Sequence, residues 1–555
     1  MDNYFVSSCK RVKDWICRQF GQKEKKTVHH KKFANGGEVI VWETGRAGEE
    51  AASYENLFLR KEIAGFRTNI RREQSCSIKS LTRDYLYKQL LSSGEYTFDH
   101  MLVIKDPYGE APLTALALFI LEEPARVRVT TKGNLEVTDF VTELPKKKEH
   151  RVPILGMYAE KANDIVIEIL DDEGNCVKSH TFTIRTKRLP KSLRNVITVK
   201  KWTDKPAYSN IMINGGVKIH TCVFDIEGKI RYYLSRKPRG YGIFPLSDGH
   251  FFYMEKYISV PSYSNPQTVE SYDMDYFGRV FRTYLTEKGV HHTAEEKAGG
   301  NILTGSNSML EHTEDCVIEI DRQTGEIVWQ LNMAEIFDET YQNMMDWCHV
   351  NSAAYYEKDR TILISLRNVH AVICVDYDTK KLRWILSDPK FWEGTKMTPY
   401  LLQPEGDVKW CYQQHAAFEI ALPDESNPQK KRIIVYDNHW AKRRKAKSFD
   451  KDPLSYVSFY DIDEEKKTVS LHKRFAGPKT RIRANGIYVP DKKRVYNMAG
   501  SYAEPVDGDG GGIFEYDYET GEVLSEFGVK PGFFRAYPFE PNVQELAEPM
   551  QVTGD

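Results

Sequence analysis

Three histidines, an arginine and an asparagine are the residues here whose types and spacing could do chemistry together. The stretch "DWCHVNSAAYYEKDRTILISLRNVH", residues 346–370, reads as two short strands around a charged turn. His349 and Asn351 open the first strand, and Arg367 ends the second. Alternation along a strand puts His349 and Asn351 on the same side. "GVHHTAEEKAGGNIL" carries His291 and His292, and "WCYQQHAAFEIAL" carries His415, again at the entrance to an alternating strand. A lone histidine is more often surface or satisfied core. Three at equivalent places in successive repeats point to a shared site. Imidazoles with an amide and a guanidinium suit an oxyanion with several equatorial oxygens, such as sulfate or phosphate. The same three histidines, His292, His349 and His415, could equally hold a metal, although Arg367 beside a metal is costly unless an anion lies between them.

The elements that must position these residues are strands. From about Tyr96 to Thr186, segments such as "TFDHMLVI", "ALALFIL", "ARVRVTT" and "DIVIEILDDEGNCVKSHTFTI" follow one another with turn residues between them, the pattern of a small β-sandwich. "KRLPKSL", residues 187–193, reads as a linker. Beyond it a hairpin recurs: "VFDIEGKIRYYL", "YDMDYFGRVFRTYL", "VIEIDRQTGEIVWQL", "VICVDYDTKKLRWIL", "VSFYDIDEEKKTVSLHKRF" and "IFEYDYETGEVLSEF". Each is a strand ending in Asp, a tight turn usually holding Gly or Lys, and a second strand. Asp can accept from turn amides, and Gly supplies positive φ. Six copies at a propeller-blade period predict an all-β chain in which a six-bladed β-propeller, residues 194–555, follows a sandwich at 91–187. Loops at one end of such a channel converge, which would bring the three histidines together. Residues 1–90 form a partly helical N-terminal extension in this reading.

The chain has 555 residues, too many for one core. Its 78 basic and 79 acidic side chains give no reason to expect nucleic acid as a partner. The 9 cysteines, with no CxxC pair, read as thiols in a reducing compartment. Residues 1–32 lack the apolar run of a signal peptide, and no stretch reaches the length of a membrane span, so a soluble, cytoplasmic protein is expected. Within that segment 9 Lys or Arg stand against 3 Asp or Glu, with Phe5, Val12, Trp15, Ile16 and Phe20 near helical spacing. A basic amphipathic helix is expected there, docked on its own protein or on a second subunit.

At the three histidine segments the sequence resembles the bacterial, PAPS-independent arylsulfate sulfotransferases that use a histidine nucleophile. "WCHVNSAAY" with Arg367 eighteen residues after His349 follows that family's His, Asn and Arg spacing. "HHTAEEKAGGNIL" resembles the segment supplying a further active-site histidine, at His292, and "QQHAAF" the segment whose histidine carries the sulfuryl group, at His415. The resemblance implies transfer of a sulfuryl group from an aryl sulfate to a phenol by a ping-pong route through sulfo-His415. Arg367, His349 and Asn351 would hold the sulfuryl oxygens, His292 would move the proton, and Tyr241 and Phe534 would wall the aryl pocket. It implies a homodimer and no metal or organic cofactor. The family's threonine facing the sulfuryl group falls in "KTRIRANGIY", where Thr480, Arg483 and Asn485 are the candidates. The family's best-known members carry a disulfide just before the nucleophile, whereas Cys411 has no nearby partner in the sequence. Two readings of other classes stand beside this one: a metal-dependent β-propeller hydrolase or oxygenase using the same histidines as ligands, and a non-catalytic binding platform.

Overall fold

The computed structural model describes residues 76–540, apart from 217, 237–240, 259–266, 309–311, 343, 423–426 and 441–451, together with the strands Thr27–Lys32, Glu38–Glu43 and Ser53–Leu59. The basic helix expected around residues 5–20 lies outside the described residues. The protein is nearly all β, with one helix longer than a turn among the described residues, Cys76–Ser92. No helix among them is long and apolar enough to cross a membrane.

The sandwich is a single hydrogen-bonded sheet bent over itself. Its pivot is the strand Ala115–Thr131, whose first part pairs with Leu102–Lys105 and whose last part pairs with Ala162–Leu170. The register slips between Ile120 and Val127, around Pro124. A proline cannot donate to the ladder, so the strand bends there. Phe119, Val127, Val129, Val152, Ile165 and Ile167 fill the space the bend encloses. Three strands from the N-terminal extension continue this sheet, Ser53–Leu59 running parallel to Leu102–Lys105. The sequence had shown no such strands, because these short runs stand among charged residues.

Past residue 187 the strands of the described residues form five sheets. Four consecutive strands make the sheet Val350–Tyr356, Thr361–Leu366, Ala371–Asp376, Leu382–Leu386. The seven-stranded sheet joins two such meanders through the long strand Val280–Glu296, which pairs up to Leu285, and once more at Val290, with one neighbour and from Val290 onward with the next. The chain ends cross over. Ile197–Lys201 adds to Val523–Val529, and Arg535–Pro538 adds to Asn210–Asn214. The recurring hairpins owe their turns to the expected chemistry. Asp225, Asp275, Asp321 and Asp517 each accept two turn amides. Gly228, Gly278, Gly325 and Gly521 take positive φ there, and Lys380 and Lys467 take it in the two turns without glycine.

Two buried ion pairs lock the other elements onto these sheets. The Arg231 guanidinium donates to the Gly156 and Thr138 carbonyls at 2.7 Å each, stacks 4.0 Å from the Tyr158 ring and lies 3.4 Å from Asp225. Tyr158 donates to the same carboxylate at 2.9 Å, so sandwich and sheets share one charge cluster. Asp84 of the helix accepts from Arg279 at 3.1 Å, and Ser80 accepts from the Val280 amide, which fixes the strand that later carries His292. Arg231→Ala leaves the buried Asp225 uncompensated and is expected to cost about 3–5 kcal/mol, read by urea unfolding.

Candidate active site

His349 and His415 sit where strands start, His292 at a slip inside the long strand Val280–Glu296 and Arg367 just past the end of Thr361–Leu366, and their backbone is turned to aim them. His292, His349, Ala416 and Arg483 have φ of 59°, 58°, 50° and 66°. The ladder slips beside three of them, between His291 and Ala294, between Val350 and Ser352, and between His415 and Phe418. Non-glycine residues adopt this left-handed backbone rarely, and bulges near active sites re-aim side chains. Tyr241 and Phe534 stand just before the strands Gly242–Pro245 and Arg535–Pro538. Residues far apart in the chain thereby meet in one buried cluster.

His415 is buried, and its tautomer follows from its partners. Asn438 Nδ2 donates to the Arg483 carbonyl at 3.3 Å and to Thr480 Oγ1 at 2.8 Å. A carbonyl can only accept, so the Asn438 oxygen is the atom that faces His415. It lies 2.5 Å from His415 Nδ1, which therefore carries the proton. Nε2 keeps its lone pair and meets only a long, 3.4 Å approach from the Arg483 amide. Burial, then the Arg367 charge, hold the imidazole well below its ordinary pKa despite the Asn438 bond, with His349 and Arg535 adding to the effect. It is a neutral base with an available nitrogen.

His349 is the opposite case. Its Nδ1 lies 2.5 Å from Glu314 Oε2 and 3.0 Å from Asp346. Burial alone would discharge it, but the two carboxylates outweigh burial and raise its pKa to about 9. His292 lies between these extremes in space. Its ring is 4.7 Å from that of His349 and 4.3 Å from that of Tyr241, and its Nδ1 is 3.2 Å from His291 and 3.7 Å from Glu314. Burial, then His349, push it well below its ordinary pKa. Tyr241 donates to Glu314 at 3.1 Å and packs edge-on against Phe534.

Arg367 is oriented by two amide oxygens at 3.1 Å, those of Gln413 and Asn368. Gln413 is held in turn by His370, which accepts from its backbone amide at 3.0 Å. Asn351 donates to the Gln414 carbonyl at 2.7 Å, tying the His349 strand to the residue before His415, while its own Oδ1 is buried without a partner among the described residues. Of the candidates in 480–485, Thr480 stands behind Asn438, the Arg483 backbone amide faces His415, and Asn485 is committed to the backbone of Ala536. Ligand atoms close enough to share a metal ion occur among the described residues in two sets, His291–His292–Glu314 and Glu314–Asp346–His349. His415 belongs to neither. In the second set the imidazole and carboxylates meet at direct hydrogen-bonding distance, with a proton rather than an ion's width between them.

The arylsulfotransferase (ASST) family profile matches residues 195–535, and that of the arylsulfotransferase Ig-like domain matches residues 102–187. The chain belongs to the arylsulfotransferase family. It is thus an enzyme of aryl sulfate transfer. The arylsulfate sulfotransferases AssT of Escherichia coli O6:H1 and of Lelliottia amnigena are 23% and 22% identical to it, each over 77% of this chain and 90% of the relative. Among solved structures, an auxiliary nutrient binding protein of Bacteroides thetaiotaomicron aligns over 75% of this chain and 94% of its own, at 12% identity and a TM-score of 0.33.

In this arylsulfotransferase, Cys411 is buried and unpaired, and burial raises its thiol pKa further. The structure brings His292, His349, His415, Arg367 and Asn351 together with the aromatic pair Tyr241 and Phe534. Sequence reasoning missed Glu314, Asp346, Asn438 and Gln413. It also missed Arg535, buried at the start of the strand Arg535–Pro538 and donating to the Asn351 carbonyl at 2.7 Å. Asn438 had one readable signal: the strand ending at Asp437 runs antiparallel to the one His415 opens, so the residue after it returns to His415.

Proposed function

We propose that the pocket moves a sulfuryl group by a ping-pong route through a sulfo-histidine on His415. The observation that carries this reading is the His415 tautomer: Nδ1–H is committed to Asn438, and Nε2 is left with a lone pair beside a cluster of positive charge. In the first half-reaction Nε2 attacks sulfur, the S–O bond to the aryl group breaks, and its electron pair leaves on the phenolate. In the second, a phenol attacks the same sulfur, and the N–S pair returns to Nε2. The transition state is loose, with charge on the equatorial and leaving oxygens, so the remaining residues work by position and charge. Arg367 and the His349 imidazolium face the developing charge. His292, held neutral, suits the acceptor's proton better than the leaving group's, because a neutral imidazole can take a proton but has none to spare from an acidic form.

In the same reading the sheets close as six blades, the natural unit is a homodimer, and neither metal nor organic cofactor takes part; the last two points rest on the family resemblance alone. Mixing the enzyme with a nitrophenyl sulfate and no acceptor is expected to release about one phenol per active site and then to slow sharply. Linear release from the first turnover, at the full transfer rate, contradicts the covalent route.

A further inference from the structure

Glu314 is a fully buried carboxylate that both of its oxygens put to use. One lies against His349, and the other accepts from Tyr241 and lies 3.7 Å from His292. Asp346 reaches the same His349 nitrogen from the loop before it, at 3.0 Å. Two carboxylates on one imidazole nitrogen give it a single orientation and a reason to stay charged. We propose that Glu314 and Asp346 are positioning residues that keep His349 an imidazolium aimed at the sulfuryl oxygens, and that Glu314 at the same time holds Tyr241 and His292 against that cation. The inference rests on the sulfuryl-transfer reading for its catalytic part.

The groups that act on His349 from the elements around it divide cleanly. Glu314 and Asp346 are the acids, and His291, His292 and His415 are the bases whose protonation its charge opposes. A charge at His349 therefore also keeps its two working neighbours neutral. The two acids thus set the charge of His349, which adds to burial, and at His415 to Arg367, in keeping His292 and His415 neutral. The sign follows directly. The His349 pKa is raised to about 9, so the cation is complete near neutral pH and is lost as pH rises through that value. The burst rate should fall along the same limb.

The test uses the full chain labelled with 15N-histidine, with His349 assigned by the difference spectrum of His349→Gln. In the parent enzyme both His349 nitrogens are expected to be protonated at pH 7.5 and to titrate near 9. Glu314→Gln and Asp346→Asn should each lower that titration. The double variant should lower it by about one pH unit or more, making the burst rate at pH 8 at least about twofold smaller through an earlier basic limb. Because Glu314 lies in a packed loop, Asp346→Asn alone, from a half-buried position, keeps the test open if the others fold poorly. A neutral His349 at pH 7.5 in the parent overturns the proposal. So does a basic limb that stays in place when the titration moves. Absence of any burst in the parent would instead fail the covalent reading, and the NMR titration would still decide the charge of His349.

Discussion

His415→Ala is expected to give no burst of phenol and to lose turnover by a factor on the order of 10^4 or more. The loss is large because the side chain forms a bond. No neighbour can take its place: His292 is engaged with His291, Glu314 and the Tyr241 ring, and His349 is held as a cation without a lone pair at Nδ1. The substitution should leave the fold intact. Asn438 keeps its bonds to Thr480 and to the Arg483 carbonyl, and Gln414 beside it stays anchored by Asn351 and the Ala371 carbonyl. Matching unfolding curves for parent and variant, beside a lost burst, would separate chemistry from stability.

Arg367→Ala is the second large effect. Losing a preorganised donor to developing charge typically slows the chemical step on the order of a hundredfold, so the burst should survive at a reduced rate. A second consequence carries a sign. Arg367 is the strongest charge holding His415 below its ordinary pKa. Without it His415 takes a proton at higher pH, and the acid limb of the burst rate should move upward. Arg367→Lys should not restore the rate, because an ammonium cannot be oriented by Gln413 and Asn368 as the planar guanidinium is. Stopped-flow measurement of the burst across pH checks both statements.

What could be read along the chain were the residues carried by local pattern. The hairpin turns were legible because Asp, with Gly or Lys behind it, repeats the same backbone problem six times. His292, His349 and His415 were legible because they recur about one repeat apart, although only His349 and His415 stand where a strand opens and His292 lies inside a longer one. Glu314 and Asn438 were not. Nothing in "HTEDC" separates Glu314 from other turn polar residues, and Asn438 in "YDNHW" stands out only once its strand is paired with the one His415 opens. Arg535 was hidden for another reason: its strand completes a sheet begun more than three hundred residues earlier. The alternation that placed His349 and Asn351 on one face was interrupted by the bulge after Val350, so Asn351 bridges strands with one of its donors.

The central claim is a covalent bond at one nitrogen, and mass analysis reads it. Enzyme mixed with an aryl sulfate and no acceptor, then analysed promptly at mildly alkaline pH because an N-sulfo imidazole is acid-labile, is expected to carry one added sulfuryl group per chain. Peptide mapping should place that group on His415, and addition of a phenol should remove it as the sulfated phenol forms. A fully active enzyme that never carries the group, or one that carries it on His292 or His349, would contradict the account.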